Sequence, residues 1–154
     1  MSKIVNKYIE VCVFKFQDDT PSYLMLRRSK DQKVYPDLWQ FVSGSVDEHE
    51  IAVDAALREL QEEAGFIPKA FWVVPHVNSF YDPQDDCINV NPMFAAQVEA
   101  GSQPKLSQEH SDFAWLPFEE ALKRLVWPGQ RQGLRIVHEF IVRGEEAATY
   151  TRLR

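Results

Sequence analysis

The sequence predicts a three-layer α/β/α sandwich, and three observations support that fold class. Several short segments rich in Val, Ile and aromatic residues alternate in polarity, as β-strands do. Two longer segments repeat apolar residues at helical spacing, one within the series of strands and one after it. The composition is 45% hydrophobic and 12% aromatic, which suits a globular core. Strands with helices on either side pack as such a sandwich.

The predicted elements follow one another along the chain. Residues 8–16 (YIEVCVFKF) predict a long strand, and a turn at 18–22 leads to its hairpin partner at 23–28. A polar loop at 31–37 precedes a short strand at 39–43. The remaining predicted strands are 70–81, 88–98 and 113–116, and the predicted helices are 51–64, 118–125 and 129–142.

The helix at 51–64 has the clearest pattern. Neither Pro nor Gly interrupts it, and Ala, Leu, Glu, Gln and Arg dominate. Glu59, Glu62 and Glu63 stand at i, i+3 and i+4, so they are expected to share one face. Gly65 is expected to end the helix as a left-handed cap. A separate apolar face is formed by Val53, Ala56, Leu57, Leu60 and Ala64.

The three carboxylates of this helix suggest a cation site. Carboxylates this close repel one another unless a positive charge lies between them. Mg²⁺ takes oxygen ligands, often one or two carboxylates plus substrate phosphates, and Mn²⁺ is a possible substitute. Glu50 precedes the helix and is placed to return to the same cluster, whereas Arg58 is interpreted as a partner that orients a carboxylate. The alternative is a solvated acidic helix face.

Residues 44–66 (GSVDEHEIAVDAALRELQEEAGF) fit the pattern G-x5-E-x7-R-E-U-x-E-E-x-G-U, in which U is a bulky apolar residue. The fitted positions are Gly44, Glu50, Arg58, Glu59, Leu60, Glu62, Glu63, Gly65 and Phe66. This pattern is the Nudix box, and the chain resembles the Nudix hydrolase superfamily. The resemblance implies an α/β/α sandwich with a mixed β-sheet.

The resemblance also implies a reaction and a set of metal ligands. Members of the family hydrolyse nucleoside diphosphates linked to another group, and water attacks a phosphorus atom. The resemblance assigns Glu59, Glu62 and Glu63 as metal ligands, with Glu59 and Glu62 in the catalytic centre. It adds a backbone carbonyl ligand at Ser43 or Gly44. These roles fit the way Mg²⁺ lowers the pKa of bound water and neutralises charge on phosphates.

The chain departs from the family pattern at two loop positions and offers one further acidic group. Ser43 and His49 stand where the family often has glycine. In the segment SQEHSDFAWL (107–116), Glu109 corresponds to a glutamate that approaches the metals as a base or ligand in several branches. A surface-loop glutamate is the alternative. The neighbouring His110 is interpreted as a hydrogen-bonded loop residue, with catalysis as the less favoured alternative.

Candidate substrate contacts lie at the ends of strands. Arg27 and Arg28 end the second strand. One of them is expected to donate two parallel hydrogen bonds to a phosphate, and the alternative is that both face solvent. Tyr81 and its neighbour Phe80 end a later strand, where they would stack on a base or pterin ring or else join the core. Trp39 precedes the glycine loop and is interpreted mainly as a core residue with a possible substrate contact.

The flanking sequence favours one branch of the family. The passage YPDLWQFVSGSVDEHE at 35–50 resembles the bacterial dihydroneopterin triphosphate pyrophosphohydrolases. It implies release of pyrophosphate from a pterin or nucleoside triphosphate. A dinucleoside polyphosphate hydrolase and a non-catalytic Nudix-fold nucleotide-binding module are the alternatives. The segment 76–92, which would contact the ring, diverges most.

Composition and charge complete the expectations. Residues 1–154 are expected to form one Nudix hydrolase domain, either as a monomer or as a homodimer. The net charge of −6, without a basic stripe, argues against a nucleic acid polymer as partner. Neither a secretory signal nor an apolar run of membrane-spanning length is visible, so no membrane partner and a cytoplasmic location are expected. Cys12 and Cys87 are expected to be free thiols.

Overall fold

Successive side chains of each central strand point in turn into two hydrophobic cores, one on each face of the sheet. The computed structural model describes residues 1–154 and contains an eight-stranded mixed sheet. The strands are β1 (Lys3–Val5), β2 (Tyr8–Gln17), β3 (Thr20–Arg28), β4 (Trp39–Gln40), β5 (Val42–Ser45), β6 (Ala70–Asp82), β7 (Cys87–Gln97) and β8 (His110–Leu116). The helices are α1 (Ala52–Ala64), α2 (Phe118–Arg124) and α3 (Pro128–Ile136), followed by a π-helical segment (Val137–Val142) and a 3₁₀ helix (Glu146–Thr151).

The hairpin of β2 and β3 opens towards one end, and this opening places the glycine loop inside the sheet. The two strands pair antiparallel only from Phe14↔Tyr23 to Gln17↔Thr20. Beyond that point β5 pairs with β2 and β4 pairs with β3. On its other side β2 runs parallel to β7, which also pairs with β6 and β1. Residues 39–45 therefore fill the gap between the splayed strands.

The two faces of the sheet are covered by different helices. One core joins the α1 residues Ala56 and Leu60 to Ile9, Val11 and other side chains of the same sheet face. The opposite core joins α2, α3 and the π-helical segment to the face that carries Cys12, Phe14 and Tyr23. This arrangement confirms the predicted α/β/α sandwich and its mixed sheet.

Helix α1 ends as the sequence predicts. Gly65 lies at φ 73°, its backbone N–H donates to the Gln61 carbonyl at 2.9 Å, and the N–H of Phe66 donates to the Leu60 carbonyl at 3.5 Å. This left-handed cap confirms the predicted role of Gly65, because a residue without a Cβ adopts that conformation with little strain. The buried residues of α1 include Ala55 as well as the predicted Ala56, Leu60 and Ala64.

Several boundaries differ from the sequence predictions. The predicted strand at 39–43 is interrupted at Phe41, since its two halves pair with different neighbours. Strand β8 begins at His110 rather than at 113. The predicted helix at 129–142 changes to π-helical winding at Val137, and such a change has no distinct sequence periodicity. Strand β1 and the last 3₁₀ helix were not predicted, because segments this short show little periodicity.

Two smaller predictions concern thiols and membranes. Cys12 and Cys87 are buried and free, as expected. None of the helices combines the length and apolarity required to cross a bilayer.

Candidate active site

The three predicted carboxylates of α1 differ in burial. The side chain of Glu59 is 12% exposed, Glu63 is 3% exposed, and Glu62 is 58% exposed. Glu59 and Glu63 point towards β5, where the backbone N–H of Ser43 donates to Glu63 Oε2 at 3.3 Å. The three carboxylates follow the spacing that predicts one shared face, and Glu62 lies at its solvent side.

Gly44 makes room for one of these carboxylates. A Cβ built at Gly44 would lie 2.1 Å from Glu59 Cδ and 2.3 Å from its Oε1. No side chain fits in that space, so the absence of a Cβ allows the carboxylate to reach the β5 backbone. A carbonyl ligand at Gly44 or Ser43 remains a prediction, and the close approach of Glu59 to Gly44 is compatible with it.

Arg58 is hydrogen-bonded to three of the four glutamates at the fitted positions of the box, the exception being Glu63. Its guanidinium donates to Glu50 through two nitrogens at 2.9 Å, to Glu59 at 2.8 Å and to Glu62 at 3.2 Å. It also donates to the carbonyl of Ser45 at 2.8 Å. A planar guanidinium with several donors can hold more than one carboxylate in fixed positions. These contacts agree with the interpretation of Arg58 as a positioning residue.

Glu50 does not turn towards the carboxylate cluster, in contrast to the sequence interpretation. Both of its oxygens accept from Arg58, and one also accepts from the backbone N–H of Asp47. The hydrogen bonds from Arg58 lower the pKa of Glu50 to about 2. Glu50 therefore closes the loop against α1 through Arg58, and both of its carboxylate oxygens are engaged in hydrogen bonds.

Residue His49 occupies a backbone conformation that favours glycine. It lies at φ 68° in the loop between β5 and α1, with a side chain that is 90% exposed. The loop thus retains left-handed geometry at the position where the family often has glycine. Left-handed geometry is mildly unfavourable for a residue with a Cβ, and histidine tolerates it better than most.

Glu109 approaches the same cluster from the segment that precedes β8, beside the C-terminal end of β3. The register of β3 and β8 shifts between Arg27 and Arg28, and the backbone N–H of Ser29 donates to the Glu109 carbonyl at 2.9 Å. Burial is the main cause that raises the pKa of Glu63 to about 9, and hydrogen bonding with Glu109 and the charges of Glu59 and Glu109 add to it. The β-bulge thus aims Glu109 at the acids of α1.

The charges around Glu59 and Glu63 suit a divalent cation. Burial raises the pKa of Glu59 as well, although Arg58 opposes that shift. No group of three His, Cys, Asp or Glu side chains lies close enough together to hold a metal ion by itself. Two buried carboxylates, a nearby Glu109 and backbone carbonyl groups nevertheless supply oxygen donors of the kind that Mg²⁺ prefers, with substrate phosphates completing the shell.

His110 is buried beside this cluster and is a neutral residue. The Gln40 amide lies 3.2 Å from His110 Nε2, while His110 Nδ1 is buried without a partner. Burial lowers the pKa of His110 to about 4. The ring therefore contributes packing and a hydrogen bond and does not add a positive charge at neutral pH.

Arg27 and Arg28, the predicted phosphate contacts, differ in whether their guanidinium donors are free to bind a phosphate. The guanidinium of Arg28 donates to the Val34 carbonyl at 2.9 Å and to Gln32 Oε1 at 3.1 Å, so it fixes the loop after β3. Its predicted role on a phosphate finds no support in these contacts. Arg27 Nε lies 3.6 Å from Asp37 Oδ1, and its side chain is 39% exposed, which leaves donors free.

The two predicted aromatic contacts, Trp39 and Tyr81, lie in different parts of the structure. Trp39 is half-buried against the α2–α3 core, with Arg27 and Arg124 above its ring at 6.0 and 4.7 Å from the centroid. Tyr81 pairs with Ile88 at the start of β7, and its hydroxyl donates to Asp86. The structure does not bring Tyr81 to the carboxylates, because Tyr81 is 55% exposed at the hairpin tip.

Sequence reasoning missed a buried glutamate on the α3 side of the sheet. Glu10 is 6% exposed, and its Oε1 accepts from Asn78 at 3.2 Å and from Gln130 at 3.4 Å. Burial raises the pKa of Glu10, and both amide contacts oppose this shift. The signal was present in YIEVCVFKF, where Glu10 alternates in phase with Cys12 and Phe14 and therefore faces the core.

An open depression of about 480 Å³ lies elsewhere on the surface. It is at the closed end of the β2–β3 hairpin, roughly 20 Å along β2 from Glu10 by the rise per strand residue. None of the predicted site residues lines it. The lining residues are Phe16, Asp19, Pro21, His138, Val142 and Arg143.

Comparison with known proteins points to one family. The profile of the NUDIX domain matches residues 7–136. The dihydroneopterin triphosphate diphosphatase of Escherichia coli strain K12 is 43% identical over 61 residues, which span 40% of this chain and 38% of that protein. The enzyme of the same name from Haemophilus influenzae is 31% identical over 126 residues, covering 73% of this chain and 76% of that protein. The chain thus aligns with well under half of the first relative's length.

Solved structures share the fold. The dihydroneopterin triphosphate pyrophosphohydrolase of E. coli matches with a TM-score of 0.72 at 24% identity, covering 91% of this chain and 99% of that chain. A C. elegans Ap4A hydrolase in a binary complex matches with a TM-score of 0.75 at 20% identity, covering 91% and 100% of the two chains.

Proposed function

The chain belongs to the Nudix family, and from this premise we propose that it hydrolyses a phosphoanhydride bond of a nucleoside or pterin triphosphate, releasing pyrophosphate, with Mg²⁺ as cofactor. The observation that carries the proposal is the burial of Glu59 and Glu63 against the β5 backbone, with Glu109 beside them. Two buried carboxylates and a third nearby are costly without a cation. We propose further that residues 1–154 act as one domain.

Each residue of the cluster has a distinct part in this proposal. Glu59, Glu62 and Glu63 would hold the cation together with a carbonyl of Gly44 or Ser43. A Mg²⁺ ion held by these residues would supply charge neutralisation at the phosphates and a bound water of lowered pKa. Arg58 keeps the carboxylates of Glu59 and Glu62 in place through the hydrogen bonds already described.

Glu109 is the proposed general base. It lies on a loop that the β-bulge fixes, and it is close enough to Glu63 to raise the pKa of that group. In the proposed reaction Glu109 accepts a proton from water as the water oxygen bonds to phosphorus. The bridging P–O bond breaks on the opposite side, and pyrophosphate leaves with the electron pair. A positioned carboxylate contributes about 10²–10⁴-fold to such a step.

A product-resolved hydrolysis panel tests the proposal. Dihydroneopterin triphosphate, the common nucleoside triphosphates and diadenosine tetraphosphate are each incubated with Mg²⁺ in ¹⁸O-water. The expected products are a monophosphate and pyrophosphate, and the position of the label identifies the attacked phosphorus. Cleavage of diadenosine tetraphosphate alone would replace the proposed substrate class with dinucleoside polyphosphates.

Two matched variants test whether the measured hydrolysis comes from this carboxylate cluster and not from a contaminating enzyme. Glu59→Gln keeps the size of the side chain but removes a ligand charge, so we expect kcat to fall by about 100-fold or more. Glu99→Gln makes the same change at a 72% exposed position that pairs only with Lys69, and full activity is expected. Equal activity of Glu59→Gln and wild type would contradict the metal role of this cluster.

A further inference from the structure

One edge of the sheet is open over the second half of β6. This strand pairs with β7 on its inner side, and its outer side pairs with residues 152–154 at Phe71 and Trp72. None of the backbone hydrogen bonds outside the regular helices and strands involves residues 76–82. The outer edge from Val77 to Asp82 therefore has backbone groups that are free to pair with another strand.

The free backbone groups belong to Val77, Ser79 and Tyr81. Val77 is paired with Pro92, which has no N–H, so this pair is of the non-hydrogen-bonded type. The two types of pair alternate along an antiparallel ladder, so Ser79 and Tyr81 also form non-hydrogen-bonded pairs with β7. The N–H and C=O groups of these three residues consequently point away from β7, towards the open edge.

The side chains along the open edge favour strand pairing. Val77 and Tyr81 are 53% and 55% exposed, and the sequence VNSFY at 77–81 contains no charged residue. Proteins commonly protect an exposed edge with Lys or Pro, because unpaired backbone groups are a template for another strand. Pro75 lies in the irregular part of the ladder between Val73 and Val77, before the open edge begins. The edge itself has no such protection.

We propose that a second copy of this chain adds its own β6 to this edge, antiparallel and about a two-fold axis at Ser79. The outward-facing residues are symmetric about Ser79, so this register pairs Ser79 with Ser79 of the partner subunit and Val77 with the partner's Tyr81. Every free backbone group of the edge then acquires a hydrogen bond. An aromatic residue opposite a β-branched one is a favourable cross-strand pair, and a two-fold interface uses the same surface on both copies.

The distribution of charge supports a second copy as the occupant. In this register Asp82 lies opposite the partner's His76, so no like charges are opposed. The turn at 83–86, which contains two aspartates, then extends along the partner's edge towards Trp72. Residues 152–154, which contain two arginines, are paired there. Each copy therefore brings an acidic turn towards a basic segment of the other. The inference concerns assembly and is independent of the proposed hydrolysis.

Disulfide trapping tests the register. In Ser79→Cys the two new thiols belong to directly opposed residues, whose Cα atoms are about 5.5 Å apart, a separation that a disulfide spans. Val77→Cys is the matched control on the same edge, because residue 77 lies roughly 14 Å along the strand from its counterpart. Under mild oxidation we expect a covalent dimer of Ser79→Cys and a monomer of Val77→Cys on a denaturing gel. The native Cys12 and Cys87 are buried and do not compete.

Analytical ultracentrifugation of the wild type tests the assembly without any substitution. Two paired edge strands form a small interface, so we expect a dimer that dissociates on dilution. Ser79→Pro removes the central outward N–H while leaving the pairing with β7 intact, and it should be monomeric throughout. A wild type that stays monomeric at every concentration would overturn the inference. A dimer that persists in Ser79→Pro, without a disulfide in Ser79→Cys, would overturn it as well, because the contact would then involve another surface.

Discussion

At the residue scale, the positions of three glutamates around α1 decide their environments. An α-helix turns by about 100° per residue, so Glu63 lies about 40° from Glu59, whereas Glu62 lies about 60° away on the other side. Glu59 and Glu63 therefore share the side that faces β5, and Glu62 faces solvent and Arg58. Burial then makes Glu63 unfavourable in its charged form in the absence of a cation.

This burial predicts a pH dependence of stability in metal-free protein. The pKa of Glu63 in the folded protein, about 9, is above the ordinary value of 4.5. The folded protein therefore holds a proton that the unfolded chain releases, so the free energy of unfolding falls as pH rises from about 4.5 to about 9. Glu63→Gln cannot ionise and should show a smaller slope. Urea unfolding in EDTA across this pH window measures both, and identical slopes would contradict the prediction.

Gly44 gives a second prediction at the same scale. Gly44→Ala places a Cβ against the Glu59 carboxylate, which must move away from the β5 backbone. We expect a loss of stability of about 1–3 kcal/mol from overpacking, together with a large loss of activity. Gly101→Ala is the matched control, since a Cβ at Gly101 meets no atom within 4 Å. Unfolding curves and kcat/KM of both variants test this prediction. Equal activity of Gly44→Ala and Gly101→Ala would contradict it.

At the scale of elements, the site depends on how α1 is held at each end. Arg58, in the middle of α1, ties the segment before the helix to it through Glu50 and the Ser45 carbonyl. At its C-terminal end Gly65 forms the left-handed cap. The splayed β2–β3 hairpin supplies the position of β5 under the helix, because β5 pairs with β2 where β3 has turned away.

The left-handed cap predicts how much stability is lost when a methyl group is added at Gly65. In Gly65→Ala a residue with a Cβ must adopt φ 73°, and its Cβ would lie 3.1 Å from Lys105 Cβ. Left-handed geometry is unfavourable by about 1–2 kcal/mol for such a residue, so we expect a loss of that size in urea unfolding. Gly101→Ala again serves as the control. A Gly65→Ala protein as stable as the control would show that the cap contributes little.

At the scale of the whole molecule, the three layers bring two distant parts of the chain to one place. Glu59 and Glu63 lie on α1, whereas Glu109 precedes β8, and these segments meet only because β3 pairs with both β4 and β8. The net charge of −6 adds a general attraction for cations. Binding of a metal to this site should therefore stabilise the entire fold.

This coupling predicts a thermal shift. At a free Mg²⁺ concentration 100 times its dissociation constant, a single site adds about 2.7 kcal/mol of stability, which raises Tm by roughly 5–10 °C for a protein of this size. The double variant Glu59→Gln, Glu63→Gln should lose this shift, and Glu99→Gln should keep it. Scanning calorimetry with and without Mg²⁺ provides the measurement. An unchanged shift in the double variant would place the bound metal elsewhere.

Much of the fold was predictable because its signals are local. The alternation in residues 8–16, the helical pattern at 51–64 and Gly65 after it predicted β2, α1 and the cap correctly. The interruption at Phe41, the π-helical winding after Ile136 and the short strand β1 were not predicted. Those features arise from strand pairing and packing, which depend on residues far away in the sequence.

The sequence by itself determined the family, the sandwich fold, and the acids and glycines from which the candidate site is built, because spacing along a chain fixes which residues share a helix or a turn. Only the tertiary structure decided which of these groups are buried and which partner each one has. It separated Glu62 from Glu59 and Glu63, paired Glu50 and Arg28 with other groups, and buried Glu10 beneath α3. Burial and hydrogen-bond partners result from contacts between distant segments, and these contacts exist only after the layers have packed.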